Sequence, residues 1–540
     1  MICPLLLLFW VRARAGVTPR VTRWPIAALG CLGIVSLAGC IWATSARPNA
    51  AFYSIGYRFW ELAAGVVLFQ LSTERPLGAL HRARATAVSE PWVGAALVGI
   101  AMAVAAPRDF PYPWAVIVVI GTLLLIGGAA APADHPLRRL LARPAVAWIG
   151  KRSYSLYLWH WPVLVLMRWT SGVDTVLTYT VAVVTTVLAA AVSYRFVELP
   201  LRHNAVVQRF QPVARIALYL LIIAIVRRGT LGLFGHAAAI SLSTVTRNEV
   251  DWFPEDRMPF PGTQHRVCQV NIAKRPFAGG EAIAYHPTAC NGRTTRRALT
   301  VIGDSHATMY QPMLDQLSAE TGISVNIYAF TDCAYVKFLI PMGEDKPSGC
   351  LAFSQAVSHE VLAVAHAGDI LFLPGLRQWR FGDQWASFDD RNIDSLALGS
   401  GSKEPMAKAS EEAIAWLHPF THNGIVVIFE APTPIFRSPS FRCSDWFNLA
   451  NPVCRGGLTQ PRIYLEGLRA PIIAAMARIT EVLPAVYVWD PFPLLCPNDT
   501  CSASSNGRPL FFDGDHLSAY GNTIVYPSFR TVIASLQPGE

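Results

Sequence analysis

The sequence predicts two parts that differ in kind: a multi-span α-helical membrane domain, then a three-layer α/β domain built on a parallel sheet. Three observations predict this. Hydrophobic residues make up 52% of the 540 positions and charged residues 15%, with a mean hydropathy of +0.34, too apolar for one water-soluble domain. Most of those apolar residues lie before about residue 235. After about residue 299, short apolar runs alternate with amphipathic ones, as strands and covering helices do.

Hydrophobic runs occur at 1–11, 24–43, 52–71, 91–106, 113–131, 153–169, 174–194 and 213–235, and several approach the ~20 residues that cross a bilayer. Basic residues collect in every second gap. Arg12, Arg14, Arg20 and Arg23 follow the first run, and Arg75, Arg82 and Arg84 the third. Arg138, Arg139, Arg143, Lys151 and Arg152 follow the fifth, and Arg195, Arg202, Arg209 and Arg215 the seventh. The alternate gaps, such as PRDFPYP and TSGVD, are nearly free of positive charge. Positively charged loops stay in the cytoplasm, so eight crossings leave everything after about residue 235 outside. Arg227 and Arg228 break the last run, leaving VARIALYLLIIAIV as a short core. The first run lacks the basic start and small-residue cleavage site of a signal peptide. It is expected to be a span from the middle of a larger membrane fold.

The net charge of +9 has its explanation in these clusters; the partner they imply is a lipid bilayer, not nucleic acid. Of the eleven cysteines, Cys3, Cys31 and Cys40 fall in apolar runs. The other eight, Cys268, Cys290, Cys333, Cys350, Cys443, Cys454, Cys496 and Cys501, lie in the half assigned to the outside. An even count there argues for disulfides. Pairing each cysteine with its neighbour is the simplest of 105 connectivities. Their spacings are not those of a zinc knuckle, and no metal is expected.

In the second half, ALTVIG, ISVNIYAF, DILFLPG, GIVVIFEAP and AVYVWDP read as strands separated by helical stretches. Active sites in such sheets lie at the carboxyl ends of strands. Ser305, in LTVIGDSH, stands at one of them, where a helix start favours developing negative charge. A serine hydroxyl is a weak nucleophile until a histidine takes its proton, and a carboxylate fixes that histidine's tautomer. FFDGDHLSAYGN supplies both: Asp513 and His516 lie three residues apart, so one loop presents them together. Gly-Asp-Ser alone is an ordinary strand-ending turn, and Asp-Gly-Asp-His alone an ordinary cap. At opposite ends of one α/β domain they are far more specific.

With these blocks, region 299–536 resembles the SGNH (GDSL-like) hydrolase superfamily, which has a flavodoxin-like fold. The resemblance implies Ser305 as nucleophile, His516 as base and Asp513 as its partner. The superfamily's oxyanion asparagine has no equivalent here. Gly375, in FLPGLRQW, is the candidate for its glycine, beside the Ser305 amide.

The membrane half carries three further phrases. YRFWELAAG places Arg58 and Glu61 on one helical face, IGKRSYSLYLWHWPVLVL sets His160 between two tryptophans, and RFVELPLR holds Glu198 and Arg202. Ionisable groups in spans are functional candidates; snorkelling, an interfacial tryptophan belt and a cytoplasmic ion pair are the structural alternatives. Together the phrases resemble the carboxyl-terminal part of the acyltransferase 3 family, membrane proteins of about ten spans. On that resemblance, 1–235 is a partial membrane domain of about eight spans, 236–298 a linker or extension, and 299–536 the SGNH-like domain. The family's early arginine and histidine have no counterpart here. Members with this fusion O-acylate, usually O-acetylate, envelope polysaccharides such as lipopolysaccharide O-antigen or peptidoglycan. The implied donor is cytoplasmic acyl-CoA, typically acetyl-CoA, with no bound cofactor. The implied location is the bacterial inner membrane with the last domain in the periplasm. The alternative is an anchored carbohydrate esterase, in which water replaces the glycan hydroxyl.

Overall fold

The computed structural model describes residues 23–74, 90–106, 110–128, 136–203, 209–253, 266–290, 297–341, 349–386 and 403–536. They form two compact units, one of Met1–His160 with Thr186–Ile223, the other of Trp161–Thr185 with Ala224–Glu540. The apolar run 1–11, its following Arg12, Arg14 and Arg20, and Arg75, Arg82 and Arg84 lie outside the described residues.

Helices occupy the other apolar runs: Arg23–Ala46, Ile55–Glu74, Glu90–Val104, Trp114–Gly128, Pro144–Thr170, Val176–Ser193 and Pro212–Gly235. Among the described residues, three helices are long and apolar enough to cross a membrane, at Ala27–Ala46, Val176–Leu201 and Ile216–Gly235. Large apolar side chains such as Val176, Leu177, Ile223 and Phe234 are exposed on them, which suits hydrocarbon and not water. Glu90–Val104 and Trp114–Gly128 touch through glycine. A Cβ on Gly94 would meet the Gly121 carbonyl oxygen at 2.6 Å, the close backbone approach that small residues allow between membrane helices. Below Ser193 the helix widens to a π-turn, Tyr194–Glu198, before Leu199–Arg202. Pro200 explains it: proline has no N–H to donate and its ring crowds the carbonyl one turn back.

One expectation about these helices is corrected. Arg227 and Arg228 do not interrupt the last run, since Pro212–Gly235 is continuous through them. Arginine is a good helix former, so charge lowers the hydropathy of the run without breaking its backbone.

In the second unit a seven-stranded sheet has the order β1-β2-β4-β3-β5-β6-β8. The strands are β1 (Gln269–Phe277), β2 (Gly280–Thr288), β3 (Ala298–Gly303), β4 (Ser324–Ala329), β5 (Ile370–Leu373), β6 (Val426–Glu430) and β8 (Val486–Trp489), with the short β7 (Thr459–Pro461) outside it. The five strands from β4 to β8 are parallel, and β2 joins β4 antiparallel. That parallel order is the flavodoxin-like one. Alternate residues feed two cores. Leu299, Val301, Ile370, Phe372 and Ile428 face the helices Gln311–Thr321 and Ala519–Ser535. Ile302, Leu371, Leu373, Val427 and Phe429 face Cys350–Val364, Lys403–His422 and Arg462–Val482. Strands buried on both faces read as unbroken apolar runs, which is why these were legible.

The stretch 236–298, expected as a linker, is partly sheet: β1 and β2 form a hairpin over it. Its turn, Ala278 and Gly279 at φ 46° and 87°, is a tight two-residue hairpin turn. β1 is exposed along most of its length, so it carries no alternating apolar signal. Disulfides join Cys268 to Cys290 across the open end of this hairpin, and Cys333 to Cys350, Cys443 to Cys454 and Cys496 to Cys501. The Cys443–Cys454 loop caps a helix end. Arg442 donates to the Arg168 carbonyl at 2.7 Å, and Asn451 to the carbonyls of Arg168 and Trp169 at 2.8 and 3.1 Å, satisfying groups the helix leaves unpaired.

Candidate active site

Gly303 ends β3, and Asp304 caps the helix Ser305–Met309. One oxygen of Asp304 accepts the His306 amide at 2.9 Å and the other the Leu376 amide at 3.0 Å. The second bond ties the loop after β5 to the elbow after β3. Strand order reverses between those two strands, and such sheets bind ligands there. A Cβ on Gly303 would meet the Pro374 carbonyl oxygen at 2.3 Å, so glycine is what lets the two strand ends approach.

The loop that meets Ser305 comes from the far end of the chain. Asp513 accepts the amides of Asp515 and His516 at 3.0 and 2.8 Å, folding the loop into a turn around its own carboxylate. The Phe436 amide donates to the Gly514 carbonyl at 2.7 Å and holds the turn from the β6 side. His516 Nε2 then lies 2.7 Å from Ser305 Oγ, and its Nδ1 lies 2.9 and 3.1 Å from the two Asp513 oxygens. A neutral imidazole so held keeps Nδ1 protonated toward Asp513 and offers Nε2 to the serine proton. That arrangement can activate a hydroxyl for attack on a carbonyl carbon.

A second carboxylate stands behind it. Asp515 is buried; it accepts from Arg380 Nε at 2.8 Å, lies 3.3 Å from His306 Nε2, and has an oxygen 3.5 Å from His516 Nδ1. Burial opposes its ionisation, yet the charge of His516 and the hydrogen bond from His306 hold its carboxyl well below the usual range. Burial likewise opposes charge on His516, but the carboxylates of Asp515 and Asp513 outweigh it and raise that imidazole to about 10.

Gly375 does not offer the second oxyanion donor expected of it. Its amide donates to Glu430 at 3.2 Å. Glu430 lies at the end of β6, 2% exposed, and also accepts from the hydroxyl of buried Tyr310. Burial holds the Glu430 carboxyl above the usual range. With the Leu376 amide committed to Asp304, both amides after Pro374 are engaged, and Ser305's own amide, in the first turn of its helix, is the candidate that stays at the site.

The membrane candidates form separate pairs. Arg58 holds Glu61 through two bonds of 2.8 and 3.0 Å. Glu198 accepts from Ser155 at 2.7 Å, joining the second and third phrases of the sequence. His160 Nδ1 lies 2.5 Å from the Tyr157 carbonyl of its own helix. The Arg202 side chain lies outside the described residues.

His306, Asp515 and His516 bring ligand atoms within 4.8 Å of one another. They do not fit a resident metal, because Arg380 already sets a cation on Asp515 and Asp513 takes Nδ1 of His516. Sequence reasoning missed Arg380 and Glu430, which reach the site from distant parts of the chain, and Tyr310, which follows Ser305 at the end of the same short helix and meets Glu430 across 120 positions. Asp515 and His306 sit inside the two quoted motifs, where an acid and an imidazole beside a triad were a signal.

Residues 273–531 match a family model described as an SGNH domain fused to AT3 domains, and residues 1–195 match one described as an acyltransferase domain. The O-acetyltransferase OatA of Staphylococcus aureus is 40% identical over 88 residues, which is 16% of this chain and only 14% of that protein's length. The solved periplasmic domain of a lipopolysaccharide acetyltransferase from Salmonella ser. Paratyphi A aligns with 45% of this chain and 85% of its own, at 16% identity and a TM-score of 0.27.

Proposed function

We propose that this chain, which belongs to the membrane acyltransferase family carrying a fused SGNH domain, moves an acyl group, acetyl in the simplest case, onto a hydroxyl of a cell-envelope polysaccharide. The observation that carries this reading is Ser305 Oγ lying 2.7 Å from a histidine that Asp513 orients. Lipopolysaccharide O-antigen and peptidoglycan are the acceptor classes, and acyl-CoA, acetyl-CoA in the simplest case, is the donor. The acyl group passes through the membrane half, to which this reading assigns Arg58, Glu61, His160, Glu198 and Arg202. The chain sits in a bacterial inner membrane with its SGNH domain in the periplasm; four disulfides in that domain support an oxidising compartment.

The chemistry balances within the triad. Ser305 Oγ attacks the acyl carbon as its proton passes to His516 Nε2. The bond from that carbon to the donor's sulfur or oxygen breaks, and His516 returns the proton to the leaving group. A glycan hydroxyl then attacks acyl-Ser305 and gives its proton to His516, which hands it to Ser305 Oγ as the ester bond breaks. The Ser305 amide is the donor facing the developing oxyanion.

The test is ester-linked acetate on envelope glycan in a strain lacking the activity, complemented by wild type or Ser305→Ala. Loss of the nucleophile is expected to lower transfer by more than about a thousandfold, to the host background. Equal acetate in both strains rejects the reading. Free acetate released from pre-acetylated glycan, with no gain on the acceptor, identifies the esterase instead.

A further inference from the structure

We propose that Asp515 and His306 form a second carboxylate–imidazole pair that positions His516 and stabilises its imidazolium while Ser305 gives up its proton. This inference rests on the triad reading above. The reaction as written assigns work to one carboxylate, yet two face the same imidazole. Asp513 lies at 2.9 Å from Nδ1 and Asp515 at 3.5 Å. A bystander carboxylate in that place would be costly, since Asp515 is 5% exposed and a buried charge needs partners.

Its partners come from three elements. Its own loop supplies His516, with the like-charged Asp513 beside it on the same imidazole; from the elbow after β3 comes His306, 1% exposed, with Nε2 at 3.3 Å; from the loop after β5 comes Arg380, with Nε at 2.8 Å. The groups beyond these are Asp304, Asp332 and Lys337 on the elbow and the β4 loop, and Glu430 behind His306. The His306 and His516 rings lie 4.7 Å apart, tilted by 41°. His306 directly follows the nucleophile, so the segment that places Ser305 also pins Asp515 against His516.

Asp515 is therefore a positioning residue with an electrostatic signature. When Ser305 loses its proton, His516 gains a charge, and Asp515 lies close enough to favour that state. Removing the carboxylate makes His516 easier to deprotonate and also a weaker base. The ascending limb of the rate profile then moves to lower pH while the plateau falls.

The experiment uses the full chain in detergent micelles, with p-nitrophenyl acetate as acyl donor, following the burst of p-nitrophenolate from pH 6 to 11. In Asp515→Asn the ascending limb is expected to move down by about one pH unit or more, the size of a close charge effect, with at least a tenfold lower plateau. Asp515→Glu, which keeps the charge, returns the limb toward wild type. His306→Gln, which leaves Asp515 charged and held by Arg380 but removes the imidazole that shares it, moves the limb the other way, to higher pH; it carries the test if Asp515→Asn fails to fold by circular dichroism. A limb that coincides with wild type in the folded variants overturns the inference, whatever the loss of rate. A burst that persists in Ser305→Ala overturns the triad reading itself, a separate outcome.

Discussion

Gly303 decides, at the scale of one residue, whether the serine elbow can form. Its Cα faces the Pro374 carbonyl so closely that an added Cβ would stand 2.3 Å from that oxygen and 3.3 Å from Ala307 Cβ. Neither neighbour is a flexible side-chain tip, so Gly303→Ala must spread the ends of β3 and β5. Overpacking of this kind costs about 1–3 kcal/mol, read as a lower denaturant midpoint. The larger effect is expected on acylation, because the Leu376–Asp304 bond crosses the same gap and fixes the cap above Ser305. A variant losing stability but keeping the wild-type burst rate contradicts this. At this scale the motif residues were legible because a serine, a histidine and an acid must coexist for the chemistry. Arg380 and Glu430 were not, because each reaches the site from another strand end, 135 positions from Asp515 and 55 from Gly375.

Among the elements, the central parallel strands were legible and the β1–β2 hairpin was not, for one physical reason. A strand with helices on both faces must be apolar along its length, whereas an edge strand facing solvent need not be. At the other edge β8, with Tyr487 and Val488 exposed, was legible because its residues are apolar all the same. β1 has mostly exposed residues, and its lysine and arginine suit an edge that must not pair with another chain. The hairpin extends the sheet to residues before 299. The central strands carry the stability. Phe372 of β5 is fully buried, with Phe529 at 4.8 Å and Trp489 and Tyr310 each at 5.8 Å between ring centroids. Phe372→Ala is expected to cost about 3–5 kcal/mol, measured by denaturant unfolding followed through tryptophan emission. The matching change on β1, Ile272→Ala, removes a side chain that is 36% exposed and is expected to cost under about 1 kcal/mol. Equal losses at the two sites contradict a stability centred on the parallel strands.

At the scale of the whole molecule, the proposed transfer to an outer glycan requires the residues after Gly235 to lie across the membrane from the arginine clusters. Three helices, Pro144–Thr170, Val176–Ser193 with its π-turn, and Pro212–Gly235, follow the basic segment Arg138–Arg143. Val176–Leu201 and Ile216–Gly235 are long and apolar enough to cross; with Pro144–Thr170 as the further crossing expected of the run 153–169, a cytoplasmic Arg138–Arg143 leaves everything after Gly235 outside. The last crossing decides the matter, because it holds Arg227 and Arg228 in mid-run. Its helix is continuous and its apolar stretch runs Ile216–Gly235, and arginine costs at mid-bilayer are within reach of snorkelling. The expected outcome is concrete. Alkaline phosphatase fused after residue 536 is active in cells, and green fluorescent protein fused there is dark, while the same reporters placed after Arg143 give the reverse. The eight disulfide cysteines are expected to react with a membrane-impermeant maleimide in outer-membrane-permeabilised cells only after reduction. Bright fluorescence after residue 536 would place Ser305 on the cytoplasmic side, where its disulfides would not persist and an envelope glycan could not reach it.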